Sequence, residues 1–178
     1  SAWKSCSSEK WQWFEPILSY DNARLSQALI LSGRWMRDAE VLKIGLSSLR
    51  WLAEIQKAPK GYFRPIGSNG FYKRDGERAV FDQQPVEANA MISACFEAYR
   101  ATGDASWSAL AKRTFEWFLG RNDLGISLYD AASGGCRDGL HPDRVNENQG
   151  AESTLAFHLS LAEMNFAEHA IVSPVPAP

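Results

Sequence analysis

Apolar residues recur at helical spacing in five stretches of the chain. Positions three, four and seven residues apart share one face of an α-helix, so this spacing predicts helices over residues 18–36, 38–57, 85–101, 105–119 and 151–167. The predicted apolar face of the first helix consists of Leu25, Ala28, Leu29, Ser32 and Trp35. That of the fifth consists of Leu155, Leu159, Ala162 and Phe166. The pattern predicts an all-α fold.

Two long loops, residues 58–84 and 120–149, separate these helices and are rich in glycine and aromatic residues. Short strands or a hairpin fit the stretch around residues 70–80. Loops of this length in a compact domain are usually functional or disordered, and this composition is unlike that of a linker. The sequence predicts one domain over residues 1–168 and a disordered, proline-rich tail over 169–178.

A weak internal repeat links the helix starts that follow the loops. Gln84-x-x-Glu87 and Gln149-x-x-Glu152 lie 65 residues apart, and each opens a predicted helix. Asp21, 66 residues before Glu87, is a weaker third match. A helix pair plus a long loop is the repeating unit of an α/α toroid, in which such loops gather at one end beside the starts of the inner helices. Acidic residues in a first turn also stabilise a helix in their own right, so capping is the alternative interpretation.

Composition narrows the function classes. The net charge of -2 and the absence of a basic run indicate no nucleic-acid partner and no membrane partner. Three widely spaced cysteines provide neither a disulfide framework nor a metal pair, so a cytoplasmic location is expected, with no metal site and no cofactor. Seven tryptophans fit either a helical core or a sugar site, because an aromatic face packs on the C–H face of a pyranose.

Several longer motifs resemble the helical domain found C-terminal to bacterial group 1 glycosyltransferases. The resemblance covers about residues 11 to 165. The motifs are Trp11-x-Trp13-Phe14-Glu15-Pro16, Tyr20-Asp21-Asn22-Ala23-Arg24-Leu25, Phe81-Asp82-Gln83-Gln84-Pro85-Val86-Glu87-Ala88, Trp117-Phe118-Leu119-Gly120-Arg121-Asn122-Asp123-Leu124-Gly125, Gly134-Gly135-Cys136-Arg137-Asp138-Gly139-Leu140 and Val145-Asn146-Glu147-Asn148-Gln149-Gly150-Ala151-Glu152-Ser153. The resemblance implies an α/α toroid, as in six-hairpin glycosidases and N-acylglucosamine 2-epimerases, and a carbohydrate ligand. It assigns no catalytic residue.

The chain departs from that family in two respects. It has too few predicted helices for a complete six-hairpin ring, and no glycine-rich loop follows a strand to bind a sugar nucleotide. A partial ring exposes the apolar flanks of its inner helices, which proteins avoid in water. The sequence therefore predicts a homo-oligomer, or association with the rest of a longer glycosyltransferase chain, unless the helices close into a smaller bundle.

Three functions remain open on the sequence. Glycoside processing requires two carboxyl groups, for which the catalytic candidates are Glu87, Glu152, Asp21 and Asp138. A non-catalytic glycan-binding or scaffold module requires stacking and hydrogen-bonding groups alone. An epimerase-like enzyme requires histidine as proton carrier, for which His141 is the best-placed candidate. The expected substrate-binding residues are Trp13, Glu15, Tyr20, Asn22, Arg24, Tyr72, Gln84, Asn122, Asp123, Tyr129, His141, Asn148 and Gln149.

Overall fold

The structure is a computed structural model that describes the backbone of residues 2–172 and the side chains of residues 2–167. Helices dominate this part of the chain. They are α1 (Ala2–Cys6), α2 (Ala23–Met36), α3 (Ala39–Ile55), α4 (Pro85–Thr102), α5 (Ala105–Phe115) and α6 (Ala151–Val172). Four two-residue strands form two small antiparallel sheets: β1 (Ile17–Leu18) with β2 (Tyr72–Lys73), and β3 (Gly139–Leu140) with β4 (Val145–Asn146).

The five predicted helices are confirmed, with differences at their ends. The first begins at Ala23 rather than residue 18, because residues 17 and 18 pair with β2. The fourth ends at Phe115 and continues as turns, whereas the fifth runs to Val172, past the predicted domain boundary at residue 168. The rest of the predicted tail, residues 173–178, lies outside the described residues.

Local sequence signals explain where several helices begin and end. The Asp38 carboxylate accepts hydrogen bonds from the amides of Glu40 and Val41, at 2.9 and 3.1 Å, and thereby caps α3. Gly103 ends α4 in the left-handed conformation, with φ of 69°, and Asp104 caps α5 at the next position. These caps hold each helix pair in a tight antiparallel hairpin.

The helices α2, α4 and α6 run side by side in the same direction. Side-chain contacts between α2 and α4 join residues about 65 positions apart, such as Arg24 with Asn89, and contacts between α4 and α6 join residues such as Asn89 with Ser160. We call these three the inner helices. The outer helices α3 and α5 pack against α2 and α4, and the Arg50 guanidinium on α3 lies 4.6 Å above the ring of Trp107 on α5.

The middle inner helix is enclosed, and its two neighbours are not. Every residue of α4 from Pro85 to Phe96 is buried. The predicted apolar faces of α2 and α6 were expected to pack inward, but their large residues are exposed: Trp35 to 90%, Leu155 to 59% and Phe166 to 74%. One large apolar residue on each helix is buried, Ile30 of α2 and Phe157 of α6, and the other buried positions are small residues: Ala23, Ser26 and Gly33 of α2 and Ser153, Ala156 and Ser160 of α6. The orientation predicted for these two helices was therefore wrong.

Candidate functional site

The starts of the three inner helices meet at one end of the molecule. The Asn22 side chain donates a hydrogen bond to Glu87 Oε2 at 3.0 Å, which joins the start of α2 to that of α4. The Tyr20 hydroxyl donates to Glu152 Oε2 at 2.5 Å, which joins α2 to α6. We call Tyr20, Asp21, Asn22, Glu87 and Glu152 the helix-start cluster. It brings together three of the four predicted catalytic carboxyl groups.

The turn before α2 positions the first three members of the cluster. Asp21 adopts a left-handed backbone conformation, with φ of 50°, which is uncommon for a residue with a side chain. The Asn22 side chain then accepts a hydrogen bond from the Ser19 amide at 3.0 Å while its amide group donates to Glu87. Residues held in such conformations concentrate at functional sites, because the surrounding structure must stabilise them.

Glu87 is a buried carboxyl group, with 3% of its surface exposed. Its Oε2 accepts hydrogen bonds from Asn22 and, at 3.4 Å, from the Gln56 amide. Its Oε1 receives no hydrogen bond of good geometry from any described residue. Burial raises the pKa of Glu87 to about 7, although the side chain of Asn22 and the backbone amides of residues 21 and 22 oppose the rise. Glu87 therefore exchanges a proton near neutral pH.

Asp21, Glu152 and Tyr20 form the accessible part of the cluster. Burial raises the pKa of Asp21, the Arg24 guanidinium 3.3 Å from its Oδ1 opposes the rise, and the negative charge of Glu152 adds to it. The hydrogen bond to Glu152, followed by burial, raises the pKa of Tyr20 to about 12, so this phenol stays protonated at neutral pH. Half of the Tyr20 side chain is exposed, and the ring offers a face to a ligand.

A hydrogen-bonded ladder lies next to the cluster and ties the inner helices together. Arg24 Nη2 donates to Asn89 Oδ1 at 2.5 Å, and Asn89 Nδ2 donates to Ser160 Oγ at 3.1 Å. Further along the helices, Ser93 Oγ donates to Glu163 at 2.5 Å. Arg24, a predicted sugar-binding residue, is thus partly engaged in holding α2 to α4.

The fourth predicted carboxyl group, Asp138, holds the loop that leads into α6. Its Oδ1 accepts a hydrogen bond from the Gly150 amide at 2.8 Å, and its Oδ2 accepts one from the Asn148 side chain. Burial, the largest single effect, raises the pKa of Asp138, but the hydrogen bonds from Asn148, Ser153 and the Gly150 amide together outweigh it, so the pKa lies below its usual value. The side chain of Gln149, which follows Asn148, donates a hydrogen bond to Asp130 at 2.9 Å and accepts one from Ser133 at 2.7 Å. Asp138, Asn148 and Gln149 therefore order this loop.

Several predicted binding residues lie in a second polar network under the loops. The Asp123 carboxylate forms an ion pair with Arg64 and accepts hydrogen bonds from Tyr62 and Gln83. Gln83 in turn accepts from the Trp117 indole at 2.9 Å. The buried Asn122 side chain donates to the carbonyl groups of Trp117 and Ile126, at 2.9 and 2.8 Å. These contacts join the second long loop to the first and to the turns that follow α5.

Most of the aromatic side chains that were predicted to contact a sugar pack against other aromatic side chains instead. Trp13 has no exposed surface and packs against Phe14 and Trp51, so its ring is not available to a ligand in this structure. Tyr72 packs against Trp11, with ring centroids 5.2 Å apart, and Tyr129 stacks on Phe157 at 4.4 Å. Glu15 contributes its backbone carbonyl, which accepts from the Trp11 indole at 2.8 Å, while the residue is otherwise exposed.

The two long loops meet beside the start of α4. Gln83 and Leu140 exchange a pair of backbone hydrogen bonds of 2.9 Å, which places their neighbours Asp82 and His141 side by side. His141 Nδ1 contacts Asp82 Oδ1, and both side chains are partly exposed. The nearby Gln84 amide lies 3.5 Å from Ser68 Oγ. The peptide bond between Phe81 and Asp82 is cis.

Sequence reasoning missed two residues that shape the site. Gln56 was assigned to the end of a predicted helix, yet its buried amide contacts Glu87. Asn89 lies in a stretch interpreted as apolar, yet it connects all three inner helices. The available signal was the polar character of Asn89 within an otherwise apolar helix, because a buried amide requires partners.

No protein-family model matches the chain, and no curated protein matches it.

Among the described residues, no helix has the length and apolar character needed to cross a membrane. The same residues contain no group of three or more histidine, cysteine, aspartate or glutamate side chains arranged to hold a metal ion.

Proposed function

We propose that the helix-start cluster is a carbohydrate site and that the domain is glycan-binding and glycoside-processing. The observation that supports this most directly is the convergence of Asp21, Glu87 and Glu152 at the starts of three parallel helices, with Tyr20 exposed among them. Sugar hydroxyl groups donate to carboxylates, and an exposed aromatic ring packs on a pyranose face. The cluster offers both kinds of group at one place.

The proposed processing step is hydrolysis of a glycosidic bond. That reaction uses one carboxyl group that donates a proton to the leaving oxygen and a second that acts as base or nucleophile. Burial and the negative charge of Glu152 raise the pKa of Asp21 against the opposing effect of Arg24, and an upward shift is the direction that the acid role requires. Glu152 is exposed and accepts a hydrogen bond from the Tyr20 hydroxyl, a position that suits the base or nucleophile. Glu87 lies behind this pair and supplies a group that titrates near neutral pH.

The arrangement of helices supports the same proposal at the level of fold. Three parallel inner helices, two antiparallel outer helices and loops gathered at the inner-helix starts are what an arc of an α/α toroid requires. In such an arc the loops enclose whatever faces the helix starts. The motifs resemble a glycosyltransferase-associated helical domain, and this resemblance supports a carbohydrate as the ligand. The rest of such a longer chain is an alternative to a second copy as the partner that packs against α2 and α6.

A non-catalytic binding module is the second candidate. The observation in its favour is the enclosure of Glu87, whose side chain is nearly inaccessible and bonded to Asn22 and Gln56. A buried carboxyl group of this kind can organise the helix starts without contacting a reacting bond. In that case the cluster binds a glycan and leaves it intact.

Charge-neutral variants distinguish the two candidates. Oligosaccharides incubated with the wild-type chain, Asp21→Asn, Glu152→Gln and the control Glu77→Gln are followed by chromatography for cleavage and by thermal shift for binding. Glu77 is exposed and lies outside the cluster. A hydrolase loses about 10²-fold or more of its rate in each cluster variant, whereas a binding module shows a weaker thermal shift and no cleavage. Equal binding and equal cleavage in all four proteins would exclude a role for the cluster.

A further inference from the structure

The side chains of Gln56 and Glu87 meet inside the protein, where the end of α3 lies against the start of α4. Gln56 is 1% exposed and Glu87 is 3% exposed. The Gln56 amide donates a hydrogen bond to Glu87 Oε2 at 3.4 Å, and the Asn22 amide donates to the same oxygen at 3.0 Å. The amide of Gln56 and the carboxyl group of Glu87 therefore already share one contact.

The backbone fixes both residues in this position. The Gln56 amide donates to the Leu52 carbonyl, and the Gln56 carbonyl accepts from the Arg64 amide, each at 2.8 Å. Glu87 lies in the first turn of α4, where every residue from Pro85 to Phe96 is buried. Since both residues are enclosed, their side chains stay in contact while the surrounding structure is folded.

The other two oxygens of these groups lack hydrogen-bond donors. Glu87 Oε1 and Gln56 Oε1 are both enclosed, and neither has a partner of good geometry among the described residues. If Glu87 is ionised, both oxygens are acceptors, and enclosing acceptors without donors is costly. A single proton on Glu87 removes the mismatch, because a protonated carboxyl group gains an O–H donor.

We propose that Glu87 is a neutral carboxylic acid that forms a pair of hydrogen bonds with the Gln56 amide. The Gln56 N–H donates to Glu87 Oε2, and the O–H on Glu87 Oε1 donates to Gln56 Oε1. The spacing of the two polar atoms is nearly the same in an amide and in a carboxyl group, so coplanar groups make both bonds at once. Gln56 is thus a positioning residue, and the acid–amide pair joins the end of α3 to the start of α4.

The groups around the acid–amide pair determine the pH at which it loses its proton. Burial, the largest effect, raises the pKa of Glu87 to about 7, and the negative charge of Asp21 adds to the rise. Asp21 in turn forms an ion pair with Arg24 and is affected by the charge of Glu152 on α6. The nearby Tyr20 hydroxyl stays protonated. The acid–amide pair is therefore expected to be closed below about pH 7 and to lose one of its two bonds above it.

Side-chain signals of the folded wild-type chain, followed by NMR from pH 5 to pH 8.5, test this pairing. The Glu87 carboxyl carbon and the Gln56 side-chain amide, assigned with Glu87→Gln and Gln56→Met, are expected to shift together with one midpoint near pH 7. In Glu87→Gln, the Gln56 signals are expected to keep their low-pH positions, because an amide N–H replaces the acid O–H. Gln12, in the N-terminal segment, is the control amide and is expected not to shift.

Unfolding measured at pH 5.5 distinguishes a direct pair from two independent neighbours. Gln56→Met is expected to raise the unfolding constant by about tenfold in the wild-type and Glu87→Gln backgrounds, since both retain a donor for the Gln56 carbonyl. In the Glu87→Met background the same change is expected to have a clearly smaller effect, because the partner is already absent.

A Glu87 carboxyl group that titrates at its ordinary pKa of 4.5, or Gln56 signals that do not follow its titration, would overturn the proposal. So would an equal effect of Gln56→Met in all three backgrounds. A cross-peak between the Gln56 side-chain hydrogens and a long-lived water would also overturn it, because water would then bridge the two groups. Neither measurement involves a carbohydrate, so failure of the proposed carbohydrate site would leave the acid–amide pair standing.

Discussion

At the scale of single residues, Glu87 is the most deeply buried carboxyl group of the helix-start cluster, and burial raises its pKa to about 7. Its position was predictable, because the repeated Gln-x-x-Glu motif places it in the first turn of a helix that follows a long loop. Its burial was not predictable. It depends on the Asn22 and Gln56 side chains, which come from distant parts of the chain and enclose the carboxyl group from two sides.

The raised pKa of Glu87 makes stability depend on pH in a defined direction. The folded chain holds this proton up to about pH 7, whereas an unfolded glutamate releases it near its ordinary pKa of 4.5. Below pH 4.5 both states are protonated and the group makes no difference. Between these values the unfolded state ionises first, so the free energy of unfolding falls as pH rises, by up to about 3 kcal/mol from this group.

Glu87→Gln, which cannot ionise, is expected to remove this part of the pH dependence. Between pH 5 and pH 8, the free energy of unfolding of the variant should rise relative to that of the wild type by about 2–3 kcal/mol. Urea unfolding of both proteins at four pH values in that range measures the difference. Glu77→Gln serves as the control, because its exposed carboxyl group should leave the profile unchanged. Parallel profiles for wild type and Glu87→Gln would mean that Glu87 titrates normally.

At the scale of elements, periodicity predicted where helices occur better than which face they bury. Large apolar residues defined the predicted faces of α2 and α6, but apart from Ile30 and Phe157 the buried positions of these two helices are small residues. The same holds between α2 and α3, where a Cβ added at Gly33 would lie 2.5 Å from the Leu42 backbone nitrogen. Close packing of helix on helix selects small residues, and a hydrophobicity pattern gives them little weight.

The strands illustrate another limit of the sequence. A hairpin around residues 70–80 was anticipated, and Tyr72 does pair with Arg78 there, but β2 makes its longer pairing with β1. Two-residue strands are too short to leave a pattern of alternation. Their partners depend on where the loops fold, as the pairing of Gln83 with Leu140 shows. Local motifs therefore predicted where the loops lie along the chain, but not which loop residues pair with each other.

At the scale of the whole molecule, the fold is open at both edges. The middle helix α4 is covered by α2 on one side and α6 on the other. Among the described residues, no fourth inner helix packs against α2 or α6, and Trp35 of α2 and Phe166 of α6 are exposed. A second copy of the chain presents the same exposed apolar side chains, so pairing of two copies would remove them from water.

We therefore expect self-association through these edges. Light scattering on the wild-type chain at tens of micromolar should give a mass above that of one chain, and Trp35→Glu or Leu159→Glu should return it to the monomer value, because a charge on either flank opposes burial. Lys112→Gln, on the outer helix α5, should leave the mass unchanged. A monomer at every concentration would exclude a second copy as the occupant of the edges and favour the remainder of a longer chain.

The most direct test of the central claim is to locate the binding site of an oligosaccharide. Amide and side-chain signals in ¹H–¹⁵N spectra are recorded as each of a panel of oligosaccharides is added to the chain. The account predicts saturable shifts concentrated at residues 20–24, 87–89 and 150–153, with the Asn22 and Asn89 amide groups among them. Shifts confined to other surfaces, or none with any sugar in the panel, would contradict a carbohydrate site at the helix starts.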